Sequence, residues 1–176
     1  MTGQGVLTYI ATGDHKIMRR VNRWRAPSWI RLWMICATRG GDGWLWYVMG
    51  AIILLFGGVG RFATVGASGV ASAAGILLFL KLKQVFHRRR PCAIEPHCWA
   101  KLLPPDQFSF PSGHSITAFA VATPMALHYP TLGLGLVFCA ISIASSRIIL
   151  GLHFLSDVIA GCALGCLLGY ASYLLF

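Results

Sequence analysis

Residues 131–176 read TLGLGLVFCAISIASSRIILGLHFLSDVIAGCALGCLLGYASYLLF, and this stretch decides the fold class. It holds two apolar runs, 131–146 and 154–176, each near the ~20 residues that an α-helix needs to cross a bilayer. Arg147, His153 and Asp157 stand between the runs or at their ends. Ionisable side chains are costly at membrane depth, so their presence here predicts a functional site.

Three further apolar runs precede this stretch, at 44–60, 62–80 and 112–129. The first opens with Trp44, Trp46 and Tyr47, an aromatic group typical of the membrane–water interface. The second is rich in Gly, Ala and Ser, which let helices approach closely in lipid. We therefore expect an all-α integral membrane protein with about five transmembrane helices in a bundle.

The N-terminal 43 residues form a basic segment of a different kind. Pro27 and Ser28 predict a helix start, with Ser28 as N-cap. The residues that follow are rich in Trp and Arg but too short a run to span a membrane, so we expect an amphipathic helix in the interface plane. The predicted organisation is thus residues 1–43 as an interfacial segment and residues 44–176 as the transmembrane domain.

Composition supports a membrane protein over a nucleic-acid-binding one. Hydrophobic types make up 56% of the chain and charged types 11%, against about 25% charged in globular domains. Lys and Arg outnumber Asp and Glu by 15 to 5. The basic residues concentrate at 16–39 and 81–101, beside the apolar runs, and leave no soluble face for nucleic acid.

Five crossings place the unusual polar residues on one side of the membrane. The end of the second span, the start of the third, the end of the fourth and the start of the fifth must share that side. The residues brought there are Lys83, Arg90, Ser112, Gly113, His114, Ser146, Arg147, His153 and Asp157.

Lys83, Arg90 and Arg147 are cations with no matching carboxylates apparent nearby, which predicts an anionic ligand. If the second helix continues past Lys83, Arg90 lies two turns along on the same face, and Pro91 ends the helix. No carboxylate pair is evident on this side to hold a metal. Ordinary stop-transfer charges are the alternative interpretation of this basic group.

Ser112 and Gly113 open the third span and predict a second anion-binding element. Ser112 is a suitable N-cap, and the free N–H groups of a helix start favour an anion. Gly113 lets an oxygen approach the backbone closely. A plain helix cap is the alternative.

His153 and Asp157 are four residues apart, so both can lie on one helix face. Asp157 could accept a proton from one imidazole nitrogen and leave the other free to attack phosphorus. His114 could protonate the leaving oxygen. A structural His–Asp pair is the alternative, but nucleophile, acid and cations together predict phosphoryl transfer.

The motifs Lys83-x6-Arg90-Pro91, Pro111-Ser-Gly-His114 and Ser146-Arg147-x5-His153-x3-Asp157 resemble the three-part signature of the type 2 phosphatidic acid phosphatase family, which includes the vanadium haloperoxidases. The resemblance implies a phosphohistidine at His153, with His114 as general acid and Asp157 orienting His153. It also implies phosphate binding by Lys83, Arg90, Ser112, Gly113 and Arg147, with no metal and no cofactor.

The resemblance implies a membrane phosphatase acting on a lipid phosphomonoester or pyrophosphate, of the undecaprenyl pyrophosphate, phosphatidylglycerol phosphate or phosphatidic acid class. Its partners would be this lipid and the bilayer. A lipid phosphotransferase and a non-catalytic lipid-binding protein are the alternatives. Head-group and tail contacts lie outside the signature, so the motifs do not choose the lipid.

Charge distribution and family resemblance favour opposite faces of a bacterial plasma membrane for the site. The positive-inside rule favours the cytoplasmic face, whereas the resemblance favours the periplasmic or outer face, which we expect. Cys92 and Cys98, which have five residues between them including Pro96, could form a disulfide in an oxidising compartment. In the cytoplasm they should remain thiols.

Overall fold

The fold is built from α-helices, as described for residues 3–94 and 106–176 in a computed structural model. A single isolated bridge, between Arg89 and Phe108, is the only β-type pairing in these ranges. The helices are α1 (Gly3–Arg23), α2 (Ser28–Gly40), α3 (Trp44–Phe56), α4 (Arg61–Phe86), α5 (Pro91–Ile94), α6 (Gly113–His128), α7 (Pro130–Ile149) and α8 (Leu155–Tyr173), with a short 3₁₀ turn at Gly58–Gly60.

Three helical segments in the described ranges are long and apolar enough to cross a membrane: Gly58–Phe86, Pro130–Ile149 and Leu155–Tyr173. They correspond to three of the predicted spans. The predicted spans 44–60 and 112–129 form α3 and α6, which have 13 and 16 residues and are shorter than the ~20 residues of a typical span. The all-α membrane class is confirmed, and five crossings stay a prediction.

Helix α6 is the centre of the bundle and packs against α4, α7 and α8. Its Ile116, Ala118 and Ala120 are fully buried. Ala118 and Val121 join Ala140 and Ile143 of α7 in the main apolar core. The start of α6 is therefore held among neighbouring helices.

A glycine stripe on α8 allows its close approach to α6. Gly161, Gly165 and Gly169 each face the α6 backbone, and a Cβ at Gly165 would lie 2.5 Å from the Ile116 carbonyl oxygen. Small residues at four-residue spacing let two helices approach in lipid. The close contact fixes the start of α8 beside the start of α6.

Two helices make up the N-terminal segment. Helix α2 begins after Pro27 as predicted, but Pro27 occupies the N-cap position and Ser28 is the first helical residue, which corrects the predicted cap. Residues 3–23, which the sequence marked only as basic, form α1. The interfacial placement of this segment and the domain division at residue 43 stay predictions. The possible Cys92–Cys98 disulfide also stays a prediction, because Cys98 lies outside the described residues.

The segment after α4 departs from the predicted continuous helix. Helix α4 ends at Phe86, and its C-cap His87 has a left-handed φ of 45°. Arg90 therefore lies beyond the helix, and Pro91 begins α5 instead of ending α4. Arg90 and Lys83 are close because both donate to the Asp106 carboxylate, not because both residues share one helix face.

The turn between α7 and α8 presents His153. Gly151 has φ 69°, a conformation that favours glycine. The backbone N–H groups of Leu152 and His153 both donate to the Arg147 carbonyl at 3.0 Å. This compact turn fixes His153 relative to Arg147.

We expect Gly165→Ala to lower the free energy of unfolding by about 1–3 kcal/mol, because the new methyl group overpacks the α6–α8 contact. The matched control is Gly69→Ala in α4, where a Cβ meets nothing within 4 Å. There the substitution should be neutral or stabilising by up to about 1 kcal/mol. Thermal unfolding in detergent measures both, and equal effects would contradict the close α6–α8 packing.

Candidate active site

The predicted polar residues meet at one cavity of about 300 Å³. Six of them line it: Lys83, Arg90, Gly113, His114, Arg147 and His153. Ser112, Ser146 and Asp157 are fully buried. The predicted convergence on one side of the bundle is therefore present in the structure.

The partners of His153 define which ring nitrogen carries the proton. Its Nδ1 lies 2.7 Å from the Ser109 carbonyl oxygen, which can only accept, so Nδ1 is protonated. The Arg90 guanidinium lies 3.0 Å from Nε2 and can only donate, so Nε2 carries the lone pair. His153 thus has its unprotonated nitrogen beside Arg90 at the cavity.

Asp157 does not take the Nδ1 proton that the sequence assigned to it. Its Oδ2 is 3.7 Å from Nδ1, too long for a hydrogen bond, because the Ser109 carbonyl occupies that place. Oδ2 instead accepts from the Phe154 backbone N–H at 2.9 Å. Oδ1 accepts from Arg88 at 2.6 Å. Asp157 remains close enough to act on the imidazole through its charge.

Asp106 is a site residue that the sequence reasoning missed. Its carboxylate accepts from Lys83 at 2.6 Å and from Arg90 at 2.9 Å, which corrects the expectation that these cations lack carboxylate partners. Burial raises the pKa of Asp106, but the hydrogen bonds from Lys83 and Arg90 outweigh it and hold the pKa below its ordinary value. Asp106 is therefore an anion that is hydrogen-bonded to Lys83 and Arg90, the two cations predicted to bind phosphate.

Asp42 is a second carboxylate missed from the sequence. It lies in the Gly-rich turn before α3, and its Oδ1 accepts from Nε2 of His114 at 2.8 Å. Both Asp42 and Asp106 line the cavity, so the expectation that this side has no carboxylate pair is wrong. Each is already engaged by an imidazole or by cations.

Arg147 has unused hydrogen-bonding capacity. Its guanidinium donates to the Thr38 hydroxyl of α2. Its Nε is buried and is one of two buried side-chain polar atoms in the described ranges that have no partner. A buried, unpaired donor at a cavity is costly unless a ligand satisfies it. Arg147 is thus available to an anion.

The start of α6 adds backbone donors. Ser112 occupies the N-cap position as predicted but makes no side-chain cap. Its hydroxyl instead accepts from Ser115 at 2.9 Å, and its backbone N–H donates to the Asp157 carbonyl at 3.1 Å. Gly113, the first helical residue, lines the cavity. A helix start at this place favours an anion.

A family model described as the PAP2 superfamily matches residues 62–176. A decaprenylphosphoryl-5-phosphoribose phosphatase of Mycobacterium tuberculosis is 36% identical over 136 residues, covering 72% of this chain and 68% of that protein. A lipid A 1-phosphatase of Rhizobium etli is 46% identical over 57 residues, which cover 32% of this chain and only 25% of that protein. The chain thus aligns with about a quarter of this lipid A 1-phosphatase.

Two solved structures share the fold along nearly the whole chain. A transmembrane PAP2-type phosphatidylglycerolphosphate phosphatase from Bacillus subtilis has a TM-score of 0.70 at 27% identity, covering 93% of this chain and 84% of that one. LpxE of Aquifex aeolicus has a TM-score of 0.77 at 27% identity, covering 92% and 94%. The similarity therefore extends beyond residues 62–176, which the family model matches.

We expect the His153 imidazole to stay neutral at about pH 6, below the ordinary histidine pKa of about 6.5. Burial, followed by the charges of Arg147, Arg90 and Lys83, lowers the pKa of His153 well below that value. Protonation therefore requires a lower pH than in free histidine. Nitrogen-15 spectra of histidine-labelled protein in detergent, assigned with His153→Gln, test this. An imidazolium signal from His153 at pH 6 would contradict the inferred protonation state.

Proposed function

The chain belongs to the PAP2 superfamily, and from this premise we propose that it is a membrane lipid phosphatase that forms a phosphohistidine at His153. One observation carries the proposal: a single cavity joins three cations to two histidines, and one of these histidines presents an unprotonated nitrogen. Phosphoryl transfer requires a nucleophile, a general acid and groups that bind the phosphate oxygens, and this cavity contains side chains suited to each role. A protein that only bound lipid would not need a nucleophile with a defined tautomer.

The first chemical step is attack by Nε2 of His153 on the substrate phosphorus. The N–P bond forms while the bond to the lipid oxygen breaks, and His114, as an imidazolium stabilised by the bound phosphate, delivers its Nε2 proton to that oxygen and becomes neutral. Lys83, Arg90, Arg147 and the N–H groups at the start of α6 balance the charge on the three remaining phosphate oxygens. This is metal-independent catalysis, because the cations are side chains.

The second step transfers the phosphoryl group to water. His114, now without its proton, takes one from the attacking water, and the P–N bond breaks as the new P–O bond forms. Inorganic phosphate leaves, and both histidines return to their starting states. The Asp157 charge, 3.7 Å from Nδ1, stabilises the positive ring of the intermediate.

Substrate binding exchanges carboxylates for phosphate. The substrate phosphate replaces Asp106 on Lys83 and Arg90, and the leaving oxygen replaces Asp42 on His114. Phosphate carries more charge than a carboxylate and offers three oxygens to the cations, so the exchange favours a phosphorylated ligand. The two carboxylates satisfy the buried cations and the histidine when no substrate is present.

The substrate class we favour is a polyprenyl phosphate or pyrophosphate. The Mycobacterium tuberculosis relative, matched over two thirds of both chains, is named for a decaprenyl lipid. A relative 28% identical over 142 residues, from Sulfolobus acidocaldarius, is an undecaprenyl-diphosphatase. Phosphatidylglycerol phosphate and phosphatidic acid are the other lipids to test. We place the protein in a bacterial plasma membrane with its site on the periplasmic or outer face.

We expect purified protein in detergent to release phosphate from at least one of four lipids: undecaprenyl pyrophosphate, phosphatidylglycerol phosphate, phosphatidic acid and a lipid A phosphate. His153→Asn should lower the rate at least about 1,000-fold, because it removes the nucleophile. His128→Asn is the matched control. It lies at the far end of α6, about 22 Å along the helix from His114, and should stay within about twofold of wild type.

The same phosphate-release assay, run in excess EDTA, tests whether catalysis is independent of metal ions. The rate should persist, because arginine and lysine hold the phosphate. Loss of activity in chelator with recovery in magnesium would contradict phosphate binding by arginine and lysine alone.

Release of phosphate by His153→Asn at the wild-type rate would contradict the assignment of the nucleophile. No release from any lipid by wild type would contradict the proposed function.

A further inference from the structure

An ion-pair chain connects α1 to the catalytic region. The Arg88 guanidinium donates to Asp157 at 2.6 Å and to Asp14 of α1 at 2.6 Å. Asp14 is 4% exposed and Asp157 is fully buried. Buried charges persist only when they are paired and hydrogen-bonded. The order Asp14–Arg88–Asp157 therefore represents a fixed arrangement of three charges.

Further contacts hold this chain in one geometry. Asp14 accepts from the Ser156 backbone N–H at 3.0 Å and also from its hydroxyl. Arg88 donates to the same hydroxyl at 2.7 Å. The guanidinium also lies 4.2 Å from the centre of the Phe154 ring, a cation–π contact that fixes its plane. Asp14 thus acts at the first turn of α8 although it belongs to another helix.

The geometry points to Asp14 and Arg88 as positioning residues for the His153–Asp157 pair, an inference that rests on the proposed phosphatase function. Arg88 fixes one Asp157 oxygen, which leaves the other 3.7 Å from Nδ1 of His153. Asp14 accepts from the other terminal nitrogen of the Arg88 guanidinium and so holds Arg88 in place. Asp14 also lies outside the matched region 62–176, so the N-terminal segment contributes to the site.

Charge gives Asp14 a second effect on the reaction. Asp157 and Arg88 alone are a neutral pair and stabilise a positive imidazole weakly. With Asp14 included, the three groups carry a net charge of −1 beside the ring that becomes positive in the phosphohistidine. Because the region is buried, this charge is poorly screened. Loss of the Asp14 charge should therefore slow the chemical step even where the side chain's shape is preserved.

Asp14→Asn separates charge from shape. We expect it to lower kcat about 10-fold on dioctanoyl phosphatidic acid in micelles, with the inhibition constant of inorganic phosphate within about twofold of wild type. Arg88→Gln should lower kcat about 10- to 100-fold. Arg88→Lys should also have a kcat well below that of wild type, because an ammonium cannot bridge two carboxylates as a guanidinium fork does. Asp14→Glu, which keeps the charge, should recover most of the rate.

Two exposed neighbours provide matched controls. Arg89→Gln removes a positive charge beside Arg88, and Lys16→Gln changes the exposed face of α1; both residues are exposed. Each should keep kcat within about twofold. Melting temperature in detergent, measured on every variant, identifies any that lose the fold. Because Asp14 acts through Arg88, Asp14→Asn should have little additional effect in an Arg88→Gln protein.

The outcomes distinguish this inference from the function it rests on. No hydrolysis of any lipid phosphate by wild type would remove the proposed function and the inference with it. If Asp14→Asn and Arg88→Lys both hydrolyse lipid phosphate at the wild-type rate, the positioning role is wrong and the proposed phosphatase function stands. A purely structural role would lower melting temperature and leave kcat of the folded protein intact. Equal losses in Asp14→Asn and Asp14→Glu would also contradict the role of charge.

Discussion

The site depends on a single buried guanidinium, that of Arg90. It is 2% exposed, and it donates to His153, to the Leu152 carbonyl and to both the backbone and the side chain of Asp106. These contacts join the segment after α4, the segment before α6 and the turn before α8. A buried arginine needs all these acceptors because an unpaired charge would be destabilising. Its position therefore fixes the proposed nucleophile, His153, together with the cations proposed to bind phosphate.

The bundle places these segments where Arg90 can reach them. Close packing of α8 on α6 through Gly161, Gly165 and Gly169 aligns the starts of both helices. The turn at Gly151 then holds His153 beside Arg147. From the N-terminal side, Asp14, Thr38 and Asp42 contact Arg88, Arg147 and His114, respectively. The N-terminal helices thus belong to the architecture of the site.

Sequence was most informative where a local pattern determines the structure. Apolar run length located α4, α7 and α8, and the spacing of the motifs around His114 and His153 identified residues that share the cavity. It failed where contacts depend on tertiary docking: Asp106 and Asp42 stand in loops without periodicity, and no local signal marks them as partners of Lys83 or His114. The continuous helix from Lys83 to Arg90 was also wrong, because His87 ends α4 in a left-handed conformation.

We propose covalent transfer of phosphate to Nε2 of His153, and this phosphohistidine can be trapped and detected. Wild-type protein is mixed with a lipid phosphate that it hydrolyses, and the reaction is quenched in alkali, which preserves phosphohistidine. The peptides are then analysed by mass spectrometry. We expect a phosphate on the peptide that contains His153 and none on the same peptide of His153→Asn. Turnover with phosphate on His114 instead, or with no phosphorylated histidine at any quench time, would contradict it.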